Sequence, residues 1–457
     1  MQRSPCLTRL RAFLLALALA AALAAAVPAA SSAAAPGQRL WAQTITDVVT
    51  TDTDSVDHLA RGGDGSVYLC GTYDCPVVTG YLWAARYSSS GNQIWLTKWG
   101  EALGIDGEIT AVAVDRWGNL IVVGHALLGG NDDIVVVKFG HDGTVRWDHL
   151  VDGVGGGTDQ AHDVVVDRAG NVYVAAASDG VGTDLDYLVI KYSAAGVYRW
   201  ESRYAGPGTF DIPHAIAIDS VRSTYVTGSS RSAAGDADMV TVKIDPDGTR
   251  RWTKRWKGPA HLDDSGLEIA LAAGAVTVAG VTTGATTGED IVLARYTPMG
   301  ARRWVRTWDG PAHLNDAGLR LAVDAGGGAW TAGFTRNAGF QERSLLIRWS
   351  PTGRRQWVRR DTRSGLLSSI FLDLTVDAAG NAWVAGNQMK TSGPADVLVA
   401  RYSASGARPW LRTWNGPGHD YDNATSLCLS GSTTLYVGGW SFVPGGMRDP
   451  ILIKYRR

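Results

Sequence analysis

Three short phrases in the second half of the chain place an imidazole three residues before a carboxylate. They are "GPAHLDD" with His261 and Asp264, "GPAHLND" with His313 and Asp316, and "GPGHDYD" with His419 and Asp422. Carboxylates and imidazoles can ligate a cation or hydrogen-bond a polyhydroxylated ligand. Aligned on the turn that follows, Asp54, Asp159 and Asp211 take the place of the later aspartates, while Gly107 and Ser369 interrupt the series. The pattern predicts an incomplete ring of carboxylates near the mouth of a central channel, with imidazoles outside it. A structural role competes with that one, because an Asp can accept backbone N–H bonds where a chain turns into a strand. His-x-x-Asp is a weak metal signature, so no metal is assigned. No Gly-x-Ser-x-Gly elbow, phosphate loop or His-Glu-x-x-His motif occurs, and no catalytic residue or cofactor is assigned.

The elements that must position these residues are written repetitively. Gly-x-x-x-Trp recurs with its tryptophan at Trp41, Trp95, Trp147, Trp200, Trp252, Trp304, Trp357 and Trp410, at intervals of 52–54 residues. Within a period, "HDVVVD", "VYVAAAS", "YLVIKYS" and "VYRWESRY" read as four short strands joined by Gly-containing turns and one looser loop. Such a meander cannot bury both faces alone, and a period near 50 falls in the range of propeller blades. The predicted fold is therefore all-β, an eight-bladed propeller of four-stranded antiparallel blades over residues 37–457. The last copy lacks a Gly-x-x-x-Trp strand, and "GQRLWAQTI" (37–45) is one without a blade. Together they predict a ring closed by the N-terminal strand, which also removes exposed edges.

Units such as "VDRAGNVYVAAAS…DYLVIKYSAAGVYRW", "VDRWGNLIVVGH…DIVVVKFGHDGTVRW" and "VDAAGNAWVAG…DVLVARYSASGARPW" resemble the bacterial β-propeller repeats called SBBP repeats. The resemblance covers essentially all of 37–457 and implies an exported propeller, with little about activity. Copies four and five depart from it: "DSVRSTYVTG" lacks the Gly-Asn turn and "LAAGAVTVAG" lacks the Asp before it. The eight repeat tryptophans are assigned to packing between blades, each able to bury about 150–250 Å².

Bulk properties limit the functional classes. The chain has 457 residues, a net charge of −1 and 18 tryptophans, so no global basic footprint for nucleic acid is present. Arg3, Arg9 and Arg11 precede the apolar run 12–27 and a small-residue stretch. That pattern predicts a secretory signal over 1–35, cut at about 29–35, with no membrane span once it is removed. An oxidising compartment permits a bridge between Cys70 and Cys75 in "YLCGTYDCP". The reading is an exported, monomeric, non-catalytic binding or scaffold module at the bacterial cell surface or outside the cell. Its partner is an unknown extracellular protein or glycan. The alternative is a polysaccharide-acting hydrolase or lyase using carboxylates at the channel mouth.

Overall fold

In a computed structural model the described residues are 35–45, 53–74, 81–100, 106–128, 130–443 and 448–457. Among them every regular element is a β-strand, and the strands form eight antiparallel sheets arranged as the blades of a ring. The third blade shows the plan. Asp159–Val166 is innermost, Val172–Gly180 second, Thr183–Tyr192 third, and Tyr198–Tyr204 outermost. Alternation places Val172, Val174 and Ala176 against the second blade and Tyr173 and Ala175 against the fourth, as the two-residue period of a strand requires.

Ring closure is visible in the register. Strand Arg39–Thr44 pairs antiparallel with Arg448–Arg456, Trp41 opposite Lys454, and becomes the outer strand of the eighth blade.

The repeated Gly-x-x-x-Trp phrase has one contact at each of its ends. Its glycine sits in the turn before the outer strand, at φ 80° for Gly196, a left-handed conformation that L side chains rarely adopt. The tryptophan of the preceding blade lies directly on that glycine. A methyl group on Gly196 would come within 2.6 Å of the Trp147 ring, and one on Gly37 within 2.8 Å of Trp410. The same pairing joins Trp41 to Gly91, Trp95 to Gly143, Trp200 to Gly248, Trp252 to Gly300, Trp304 to Gly353 and Trp357 to Gly406. Six of these indoles also donate their N–H to a carbonyl of the same turn, as Trp200 does to Pro246 O at 3.0 Å and Trp304 to Pro351 O at 3.1 Å. Arg306, Arg359 and Arg412 lie over Trp304, Trp357 and Trp410, at 5.2–5.9 Å from the ring centroids.

One irregularity recurs on the inner strands. In blades two to eight the register slips by one residue, for example between Ala161 and Asp163 and between Gly318 and Arg320. In the first blade the inner strand is interrupted between Thr53–Asp54 and His58–Arg61. A bulge leaves one residue unpaired and re-aims the side chains around it. Here it points them at the axis of the ring.

Candidate functional site

The five later aspartates of the sequence-predicted ring are enclosed rather than open to the channel. Asp159, Asp211, Asp264, Asp316 and Asp422 are each no more than 1% exposed. Each accepts the N–H of a glycine in its own inter-blade connection: Gly153 to Asp159 at 2.7 Å, Gly258 to Asp264 at 2.5 Å, Gly416 to Asp422 at 2.6 Å, and likewise Gly206 to Asp211 and Gly310 to Asp316. The register sets a hydroxyl opposite each one, Ser178, Ser230, Thr282, Thr335 and Ser441 in turn. The glycine of "WKGP" is needed because the carboxylate occupies the place of a side chain; a methyl on Gly258 would meet Asp264 at 2.5 Å. Burial raises the pKa of all five carboxyls.

The accompanying imidazoles lie outside. His261, His313 and His419 are exposed turn residues with φ 56°, 52° and 50°, a region His tolerates better than most residues. Only His313 has a carboxylate partner among them, its Nδ1 lying 2.5 Å from Asp309 Oδ2. Asp54 pairs with Tyr73 in the first blade, and its side chain falls outside the described residues. So do Cys75, partner of the buried Cys70 in the sequence-predicted bridge, and residues 1–34 of the signal segment.

The channel is lined instead by the residues at the bulge, three and four positions further along each inner strand. A cavity of about 440 Å³ runs between His58, Thr110, His162, Asp163, His214, Glu268, Arg320, Asp373 and Thr425, among others. Arg320 projects from the sixth blade between two carboxylates, with Glu268 of the fifth at 3.6 Å and Asp373 of the seventh at 3.9 Å. Asp373 also binds forward: its Oδ2 takes the N–H of Leu427 in the eighth blade at 2.7 Å. Asp163 does the same to Ile216 of the fourth blade at 2.8 Å. Ser426 accepts from Leu59 N at 3.2 Å, which carries the chain of contacts into the first blade.

Depth in the protein shifts these groups toward their neutral forms. Burial pushes the Glu268 carboxyl up to about 8 against the opposing pull of Arg320. It raises Asp163 to about 6 and lifts Asp373 as well, again opposed in part by Arg320. The imidazoles move the other way. Burial lowers His58 and His162 to about 4, with Arg320 adding to the effect on His58 and His214 to that on His162. Near neutral pH the channel therefore carries neutral imidazoles, a protonated Glu268 and a guanidinium held beside Asp373. It offers both donors and acceptors at close range.

No protein-family profile matches the chain, and no curated protein matches it in sequence. Among solved structures it is similar to a protein of unknown function from Dyadobacter fermentans, at 10% identity and TM-score 0.42 over 93% of this chain and 100% of that one. The WD40 domain of SCAP from fission yeast gives 9% identity and TM-score 0.47, over 91% and 98% of the two chains. The polysaccharide lyase Uly1 gives 10% identity and TM-score 0.44, over 94% and 95%. The chain is an eight-bladed β-propeller.

Proposed function

We propose that this is an exported bacterial binding module that takes a polyhydroxylated ligand, such as the end of a glycan, into its central channel. It acts as a monomer and without a cofactor. Export to the cell surface or beyond is supported by the basic-then-apolar start of the sequence. Kinship with SBBP repeats is supported by the repeated phrases themselves.

One observation carries the proposal. The scaffold positions repeat from blade to blade, yet the residue pair three and four positions past the place of the ring aspartate on the inner strand is different in all eight. Those pairs are Asp57–His58, Thr110–Ala111, His162–Asp163, His214–Ala215, Leu267–Glu268, Leu319–Arg320, Leu372–Asp373 and Thr425–Ser426. A cavity of a few hundred Å³ with a few convergent polar groups is the usual form of a small-ligand site. Mostly neutral donors and acceptors suit hydroxyl groups better than a bare ion.

The test is a glycan and cell-wall binding screen with residues 37–457 and their Arg320→Ala variant. The variant should stay folded by circular dichroism and lose about tenfold in affinity, about 1.4 kcal/mol. Binding that ignores the substitution, or a screen without any polyhydroxylated ligand, overturns the proposal. A second reading, polysaccharide hydrolysis or lysis, is favoured by one feature: a carboxylic acid kept protonated near neutral pH beside Arg320 and Asp373. Release of cleaved products, lost in Glu268→Gln while binding persists, distinguishes it.

A further inference from the structure

The face bearing the inter-blade connections holds a second group of carboxylates, which does not line the channel cavity. Three junctions there share a plan in which the aspartate opening the third strand is answered by a cation from the protein. Arg203 lies 3.5 Å from Asp186, Arg255 2.7 Å from Asp238, and Lys390 2.7 Å from Asp396. The fifth blade departs from this plan twice. Where Arg203 and Arg255 stand, three residues past the repeat tryptophan, it has Thr307. Two residues further, where the third and fourth blades have Ala205 and Lys257, it has Asp309. A positive group has gone and a negative one has been added.

One oxygen from each of Asp290, Asp309 and Asp316 lies within 4.8 Å of the others. Asp290 is only 8% exposed, and its Oδ1 is buried without a hydrogen-bond partner, while its Oδ2 takes the Thr287 hydroxyl at 2.8 Å. Asp309 likewise has a buried Oδ1 without a hydrogen-bond partner, its Oδ2 being held by His313. Asp316, fully buried, is fixed by the N–H of Gly310 at 2.5 Å. Three carboxylates this close together, two of them with a buried oxygen that has no hydrogen-bond partner, are stabilised by a positive charge among them.

We propose that Asp290, Asp309 and Asp316 hold a calcium ion that ties the fifth blade to the sixth. An all-oxygen donor set suits a hard cation, and Ca²⁺–O bonds of about 2.3–2.6 Å let one ion reach oxygens roughly 5 Å apart. The same three positions recur between the second and third blades as Asp133, Asp152 and Asp159. There Asp152 is exposed and Asp159 Oδ1 already accepts the N–H of Asp179 at 3.2 Å, so that junction is the weaker candidate.

Residues 37–457 should melt several degrees later in about 1 mM Ca²⁺ than with excess chelator. Asp309→Asn should abolish the increase while melting no earlier than the parent in chelator, because it also relieves charge repulsion. Asp152→Asn should keep the increase. Terbium luminescence excited through tryptophan should follow the same pattern. An unshifted parent protein overturns the proposal. So does an Asp309→Asn protein that still responds, or a response lost only in Asp152→Asn.

Discussion

At the scale of single residues, the phrase glycines do two jobs that can be separated by substitution. Gly196 combines a left-handed backbone with the Trp147 ring pressed against it, whereas Gly274, at φ 64°, faces open space. Replacing Gly274 with Ala should cost about 1 kcal/mol, the backbone penalty alone. Gly196→Ala should cost about 2–4 kcal/mol, since the methyl must also displace an indole. Denaturant titration of the two variants checks the difference. Glu268 yields a second residue-scale prediction. Its carboxyl rises from 4.5 to about 8 on folding, so the folded state binds the proton more tightly. The stability from that source is complete below pH 4.5, declines between 4.5 and 8, and is absent above. His58 and His162, lowered from 6.5 to about 4, act in the opposite direction, losing stability as pH falls through that window. Between pH 6.5 and 8 Glu268 alone of these groups still titrates, so melting should fall over that interval in the parent and stay level in Glu268→Gln.

At the scale of elements, two devices on the inner strand divide its work. The aspartate at its start closes the connection from the previous blade, and the bulge after it supplies the channel. Asp264→Ala should therefore cost about 1–3 kcal/mol by leaving the buried N–H of Gly258 without its acceptor, with channel binding unaffected. Earlier melting without weaker ligand affinity is the expected result; the reverse would assign Asp264 to the site. The division also explains what the sequence disclosed. Blade number and strand order were readable because Trp, Gly and Asp recur at fixed spacing. The channel residues were not, because Glu268, Arg320 and Asp373 resemble ordinary polar positions in amphipathic strands. A single-residue bulge, invisible to a two-residue alternation, turns them inward. Their one signal was disagreement: at that position the copies stop resembling each other. Of the carboxylate cluster at the fifth junction only Asp316 was legible, because Asp290 lies on the third strand of the blade and Asp309 in the connection after its outer strand.

At the scale of the whole molecule, eight contacts of one kind bind the ring, and the set is complete only because Gly37 receives Trp410 and Trp41 reaches Gly91. No blade is an end blade. Removal of residues 37–46 takes away the outer strand of the eighth blade and the seat of Trp410 together. The truncated protein should melt earlier and over a broader range than the intact one, by calorimetry. Equal midpoints and widths would mean that the N-terminal strand is dispensable.

That pairing also imposes an order on biosynthesis. Arg39 meets Tyr455, so the first strand of the ring waits for the last strand of the eighth blade. Each intermediate blade can dock on its predecessor as it emerges, but a stalled or prematurely terminated chain retains an unpaired strand at both extremities. Such nascent products should be prone to proteolysis and to joining one another, and resistance should arrive abruptly once Arg448–Arg456 is made, rather than in eight steps.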